Sequence, residues 1–196
     1  MAGTMKLRYA DGRGISETIR ITLAAAGKIE MLDDVRYPVD VSLFAKGIDF
    51  ACPAFAEAKT KGVHTANMDR MPVLEVDGAI IGGSMPIARL VAKRVGLYGK
   101  TDLEAALIDQ TMENVSDIQA TYGPAKAKGE ADLAEWFKTT FPAWLAKLEK
   151  TLGANGNQEG AAAAVATCPK LVSIVERVAG LPGVVTYLAA RKETPL

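Results

Sequence analysis

The chain has 196 residues, 49% of them apolar, and its 23 basic and 23 acidic side chains cancel. That length suits one large domain or two small ones with a sizeable core. The balanced charge argues against nucleic-acid binding, and no apolar run is long enough to insert in a membrane. The first residues, MAGTMKLRY, lack the apolar stretch of a signal peptide, so a cytoplasmic location is expected.

Residues 5–9, MKLRY, alternate apolar with polar and read as a strand. After Gly12-Arg13-Gly14 the period becomes helical, with Ile15, Ile19, Leu23 and Ala26 on one face and Gly27 at the C-terminal end. Val35, Tyr37 and Val39 alternate again, and Pro38 confines this second strand to an edge. Strand, helix, strand favours a parallel pair. One helical turn is expected at 54–59. Residues 73–76 and 79–81 flank Asp77-Gly78, a strong hairpin signal, and a helix follows from Ser84 to a stop at Gly96. The order is β-α-β-(α)-β-β-α, an α/β arrangement.

Everything later is helical, so a boundary is expected near 97–100. The expected division is a domain over 1–97 and an all-α domain over 101–196. Thr101-Asp102-Leu103-Glu104 is a capping box opening a long helix, with Leu103, Leu107, Met112, Val115 and Ile118 in its apolar line. Gly123-Pro124 is expected to interrupt it. A further helix at 131–152 turns Leu133, Phe137, Trp144 and Leu148 inward, with a kink at Pro142. Residues 153–167, GANGNQEGAAAAVAT, carry little pattern. Two short helices, from 169 to 178 and from 183 to 190, close the chain.

The two cysteines, Cys52 and Cys168, are too few for a disulfide scaffold and lack metal-ligand spacing. The single histidine, His64, has no Cys, Asp or Glu at ligand distance in sequence. Neither a metal site nor a Ser-His hydrolase is expected. Three other positions carry chemistry. Pro72 either merely starts a strand or forms a cis bond that leaves the Met71 backbone free for an extended ligand. Ser84 is either a plain helix cap or, with the free amides of the first turn, an anion site. Tyr9, at the C-terminal end of the first strand, is either an edge tyrosine or a phenol that donates to a thiolate.

The fragments LRYADGRGISETIR, MPVLEVDG, GGSMPIARLVAKRVGLYG and EAALIDQTMENVSDI resemble the cytosolic glutathione S-transferases. The sigma-like, tyrosine-type branch is the nearest in look, and the likeness extends over about four-fifths of the chain. It implies a thioredoxin-like domain followed by an all-α domain. It also implies conjugation of the glutathione thiolate to small hydrophobic electrophiles, a detoxifying reaction, with glutathione as co-substrate and no metal. Tyr9 matches the tyrosine that stabilises the thiolate. Met71 and Pro72 match the residue and cis-proline that bind the cysteinyl backbone, and Ser84 the serine that receives the γ-glutamyl carboxylate. Phe55 and Lys59 hold the spacing of an aromatic–lysine pair near the glycine end, and Arg70 stands where glutamine or lysine is frequent. Asp109 matches an acid that reaches across a homodimer to the γ-glutamyl amine. Ala10, Gly14, Met112 and Ser116 are the expected acceptor-pocket lining.

The chain departs from that pattern at several points. Gly83 replaces a glutamine or glutamate, Ile15 an arginine and Phe55 a tryptophan, while the loop 62–70 is long. No Ser/Thr-x-x-Asp cap follows Leu152, so the usual core helix is shortened or absent. Lowered stability is expected, or a protein partner that covers the surface beneath Trp144 and Val175. The alternative reading is a non-catalytic, transferase-like structural or interaction subunit. A thiol oxidoreductase would need a cysteine within residues 10–16, which read ADGRGIS.

Overall fold

The computed structural model describes residues 4–40, 52–154, 168–191 and 193–194. The chain forms two compact units, Met1–Tyr98 with Leu181–Leu196, and Gly99–Gly180. The division at residue 98 falls where the sequence pattern becomes wholly helical. The last helix, however, groups with the N-terminal unit rather than with the other helices.

The first unit is built on a four-stranded sheet in the order β2-β1-β3-β4. Strand β1 (Met5–Ala10) pairs parallel with β2 (Leu32–Tyr37) and antiparallel with β3 (Val73–Val76), which pairs antiparallel with β4 (Ala79–Gly82). Met5 and Leu7 are fully buried, as the alternation of β1 requires, and Val73 and Leu74 of β3 are fully buried beside them. Strand β2 begins and ends earlier than the alternation of Val35, Tyr37 and Val39 suggests. It stops at Tyr37 because Pro38 has no N–H to extend the ladder. Beyond it, α2 (Pro53–Thr60) stands as expected.

Helix α1 (Glu17–Ala25) is entered through a single 3₁₀ turn at Gly14–Ser16. That turn shifts the helical phase. The inward face is Ser16, Ile19, Arg20, Leu23 and Ala24, while Ile15, expected inside, is 44% exposed. Helix α3 (Ser84–Arg94) buries Ile87, Ala88 and Val91 and packs beside α1. Helix α8 (Pro182–Ala190) crosses α1 at Gly183. Its Cα lies so close to the Ala24 carbonyl oxygen that any side chain there would overlap it.

Arg20 is the largest fully buried side chain of the unit. Its guanidinium forks onto both oxygens of Asp34, at 3.0 and 3.2 Å, and donates to Glu17 at 3.2 Å. It also donates to the backbone carbonyls of Gly12 (2.9 Å) and Arg13 (3.4 Å). Glu17 in turn accepts from the Tyr187 hydroxyl (3.2 Å) and from Arg191 (2.8 Å), which joins the C-terminal segment to α1. Burying a guanidinium is tolerable only with its donors matched in this way.

The second unit contains α4 (Asp102–Lys128), α5 (Glu130–Glu135), α6 (Phe141–Ala154) and α7 (Pro169–Ala179). The capping box at Thr101 and Glu104 is formed as expected. Helix α4 does not break at Gly123-Pro124 but runs on to Lys128, where Gly129 ends it. Proline removes one helical hydrogen bond, and contacts beside it hold the helix. The Trp136 indole donates to Thr121 at 2.9 Å and meets Tyr122 edge-on. Between α5 and α6, Trp136–Thr140 form a π-helical turn, which admits an extra residue per turn. The inward face slips by one position in consequence. Trp136 is buried, and Phe137, expected inside, is 51% exposed. Further on, Ile118 and Leu148 form a core with Phe141, Trp144, Leu171 and Ile174. The buried Glu149 carboxylate accepts from the amides of Lys170 and Leu171, capping α7 from a neighbouring helix. The stretch read as a substitute for the usual core helix lies mostly at 155–167, outside the described residues.

Replacing Arg20 by Met would leave Asp34 and Glu17 without their buried cation. The expected loss is about 3 kcal/mol of unfolding free energy, measured as a lower urea midpoint. An unchanged midpoint would show that the cluster contributes nothing to stability.

Candidate functional site

The ladder aligns several singled-out positions at one end of the sheet. Arg8 pairs with Val73, and Val73 with Gly82. The next residue along each strand towards that end is Tyr9 on β1, Pro72 before β3 and Gly83 after β4. The Met71–Pro72 bond is cis. The Gly83 amide donates to the Pro72 carbonyl at 3.2 Å, which joins the start of α3 to the start of β3. Helix α3 begins one residue earlier than a Ser84 cap would give. Gly83 is the cap residue, with φ at +88°, and Ser84 is the first helical residue. With glycine as the cap residue, no side-chain cap bond is made there. Pro86 has no N–H to leave unsatisfied, so the first-turn amides left free are those of Ser84 and Met85.

Tyr9 is half-buried, and its hydroxyl makes no hydrogen bond to another described residue. It sits directly against Gly14, where a Cβ would stand 2.5 Å from the phenol oxygen. Gly14 also has φ at +42°, in the left-handed region that favours glycine. Gly14 therefore touches the tyrosine it was expected to accompany as pocket lining, and Ala10 beside it is buried. On α2, Lys59 lies over the Phe55 ring, 5.1 Å from its centre. Arg70 is exposed, and its guanidinium donates to the Asn67 carbonyl at 3.4 Å. Asp109, Met112 and Ser116 lie on α4 in the second unit, at spacings of three and four that share one helix face.

Side chains whose partners the sequence pattern did not specify hold this end of the sheet. His64 is fully buried, its ring against those of Tyr37 and Phe55. Its Nδ1 lies 3.3 Å from the Arg70 carbonyl, which can only accept, so Nδ1 carries the proton. Nε2 then accepts from the Tyr37 hydroxyl at 3.0 Å. Burial pushes the His64 pKa down. The Cys52 thiol donates to the Pro38 carbonyl at 3.2 Å, and burial pushes its pKa up. In the sequence His64 stands as a lone histidine without ligand partners nearby, and nothing there specifies what it contacts. Among the described residues no cluster of His, Cys, Asp or Glu could hold a metal ion, and no single helix is long and apolar enough to cross a membrane.

No family model matches the chain. Among curated proteins it is 32% identical to glutathione S-transferase A3 of Mus musculus over 161 residues, 80% of this chain and 65% of that one. The match therefore spans just under two thirds of the relative. S-crystallin SL11 of Nototodarus sloanii is 27% identical, with 96% of this chain and 97% of the relative covered. Among solved structures, a hookworm glutathione S-transferase from Necator americanus, described as monomeric, superposes over 98% of this chain and 100% of its own. Its TM-score is 0.75 at 23% identity. The sigma-class enzyme of Fasciola hepatica gives 0.67 at 23% identity, with 98% of this chain and 99% of its own covered. The fold is that of the glutathione S-transferases. In this fold the thioredoxin-like unit is the one that carries Tyr9, Pro72 and Ser84, and the helical unit carries Asp109.

Two outcomes follow from the geometry. The unfolded chain binds a proton at His64 near pH 6.5, and the buried ring resists it to lower pH. The stability from the neutral ring is therefore complete above pH 6.5 and is lost as pH falls below that value. The urea midpoint is expected to drop from pH 7 to pH 5, and His64→Gln to drop less over the same interval. Gly14→Ala is expected to cost about 1–2 kcal/mol through its left-handed backbone and the clash with Tyr9. In a Tyr9→Phe background that cost shrinks, on the order of 0.5 kcal/mol or more, because the clashing oxygen is gone. Equal costs in both backgrounds would exclude the contact.

Proposed function

We propose that the chain is a glutathione transferase that joins the glutathione thiolate to small hydrophobic electrophiles. The observation that carries this reading is the alignment of Tyr9, Pro72 and Ser84 along one end of the sheet, two of them linked through the bond from Gly83 to the Pro72 carbonyl. The likeness to curated transferases over four-fifths of the chain supports it.

In this reading the amides and hydroxyl of Ser84 and Met85 receive the γ-glutamyl carboxylate at the start of α3. The Met71 backbone pairs with the cysteinyl residue as an added strand, and Lys59, beside Phe55, faces the glycine carboxylate with Arg70 close in sequence to Met71. The Tyr9 hydroxyl, with no other described partner, donates to the sulfur. A hydrogen bond to the anion favours thiolate over thiol and so lowers the thiol pKa. The thiol proton goes to solvent. The thiolate sulfur then forms a bond to the electrophilic carbon, and with an aryl halide the carbon–halogen bond breaks and halide leaves. The resemblance assigns acceptor-side roles to Gly14 and, on α4 of the other unit, to Met112 and Ser116, whereas Ala10 is buried and offers no side-chain surface for one. Asp109 serves the γ-glutamyl amine of a second copy, so the reading includes a homodimer. The sigma-like branch and a cytoplasmic site of action complete it.

The test is retention on immobilised glutathione together with conjugation of an aryl halide. Tyr9→Phe should lower kcat/KM about 10- to 100-fold, the effect of one hydrogen bond to a charged sulfur. A wild type that neither binds nor conjugates overturns the proposal, and equal rates for the two proteins remove Tyr9 from its role.

A further inference from the structure

The loop between α2 and β3 holds the backbone that the proposed site uses, and one side chain does most of the holding. The Asn67 amide nitrogen donates to the Arg70 carbonyl and to the Pro72 carbonyl, both at 3.0 Å. Both partners are acceptors only, so the amide group must be turned with its nitrogen towards them. Its two hydrogens are thereby both used. The Arg70 carbonyl also meets His64 Nδ1 at 3.3 Å, and the Pro72 carbonyl also accepts from the Gly83 amide at 3.2 Å. Each carbonyl beside Met71 thus has two hydrogen-bond partners, the number its lone pairs allow. Met71 lies between them, and its own backbone amide and carbonyl make no hydrogen bond to another described residue.

Two further features mark Asn67 as more than loop filler. Its side chain presses on the Cα of Gly82 so closely that any Cβ there would overlap it. The residues that follow, Met68 and Asp69, both have left-handed backbones, with φ at +50° and +57°. Such angles are unfavourable for methionine and persist only where surrounding contacts fix them. Here those contacts are the Asn67 amide and the bonds from the Asp69 and Arg70 amides to the carbonyls of His64 and Asn67.

We propose that Asn67 is a positioning residue for glutathione. It fixes the Arg70–Pro72 backbone relative to the start of α3, so that Met71 and Ser84 meet the two ends of one γ-glutamyl-cysteinyl unit at once. This rests on the glutathione reading of the site given above. Asn67 touches neither the sulfur nor the electrophile, so its loss weakens binding rather than the chemical step.

The experiment compares wild type, Asn67→Ala and Asn67→Asp by calorimetric titration with reduced glutathione and by steady-state conjugation of an aryl halide. Aspartate keeps the size of the side chain and removes both donors. The expected result is a Kd and a KM for glutathione raised about tenfold in both variants. The change in kcat is expected to be much smaller. Binding by Asn67→Asp that equals the wild type overturns the proposal and leaves the transferase reading intact. Absence of binding by the wild type overturns both. A loss confined to kcat also overturns it, because positioning would then act on the reaction and not on the ligand. Hydrogen exchange on the wild type needs no variant. Glutathione should slow exchange in 65–71 together with Ser84 and Met85, and protection of Ser84 and Met85 alone would contradict the linkage.

Discussion

A buried guanidinium is the constraint on which the N-terminal unit depends. Arg20 lies where α1, the loop after β1 and strand β2 can all be tied by one planar group. Its charge is compensated by Asp34 and Glu17, and its remaining donors hold the carbonyls of Gly12 and Arg13. That loop carries Gly14, and Gly14 lies against the hydroxyl of Tyr9. The path from a structural ion cluster to the phenol is therefore short and made of direct contacts. The same cluster accepts Tyr187 and Arg191 through Glu17, which is why the last helix associates with the sheet unit. Such a cluster adds less to net stability than its bonds suggest, since dehydrating the charges offsets much of the attraction. What it supplies is a single allowed geometry for the loop.

The opposite side of β1 is organised by carbonyl oxygens rather than by charge. Pro72 and Arg70 each receive two donors, and these come from an amide side chain, an imidazole and the cap residue of α3. The imidazole is itself fixed by the Tyr37 hydroxyl at the end of β2. Two supports thus converge on the sheet end that carries Tyr9, one ionic and one neutral. They respond differently to conditions. The ionic one rests on charge pairing around a buried guanidinium, while the neutral one depends on a histidine that must stay unprotonated.

Local signals made most of the architecture legible in the sequence. Alternation marked β1, Asp77-Gly78 marked the β3–β4 hairpin, and Thr101 with Glu104 marked the start of α4, because each of these is decided within a few residues. The errors share a cause of longer range. The inward face of α1 moved because a 3₁₀ turn and two carboxylates draw Arg20 inside, and helical periodicity treats arginine as a surface residue. Phe137 and Trp136 exchanged places because a π turn adds a residue that no spacing rule anticipates. Helix α4 passes through Pro124 because aromatic contacts from Trp136 hold it. For the candidate site, the positions on strand ends and the helix start were readable from pattern. Asn67 and His64 were not, since their partners are backbone carbonyls that only the folded loop brings near.

Gly83 shows how a departure in sequence changes meaning once the backbone is known. Judged by its side chain alone, glycine takes a polar group away from the site. In the structure its φ of +88° lies where glycine is at ease and other residues are strained by about 1–3 kcal/mol. Its amide donates to the Pro72 carbonyl, and its own carbonyl accepts from Ile87 to open α3. A longer residue at this position would add a polar head and strain the turn that sets where Ser84 stands. The chain has taken the other balance, with the helix start fixed by backbone bonds to the strand beside it. Under the proposed glutathione reading, recognition of the γ-glutamyl carboxylate then falls on amides and one hydroxyl, groups that recognise charge and shape rather than a particular side chain.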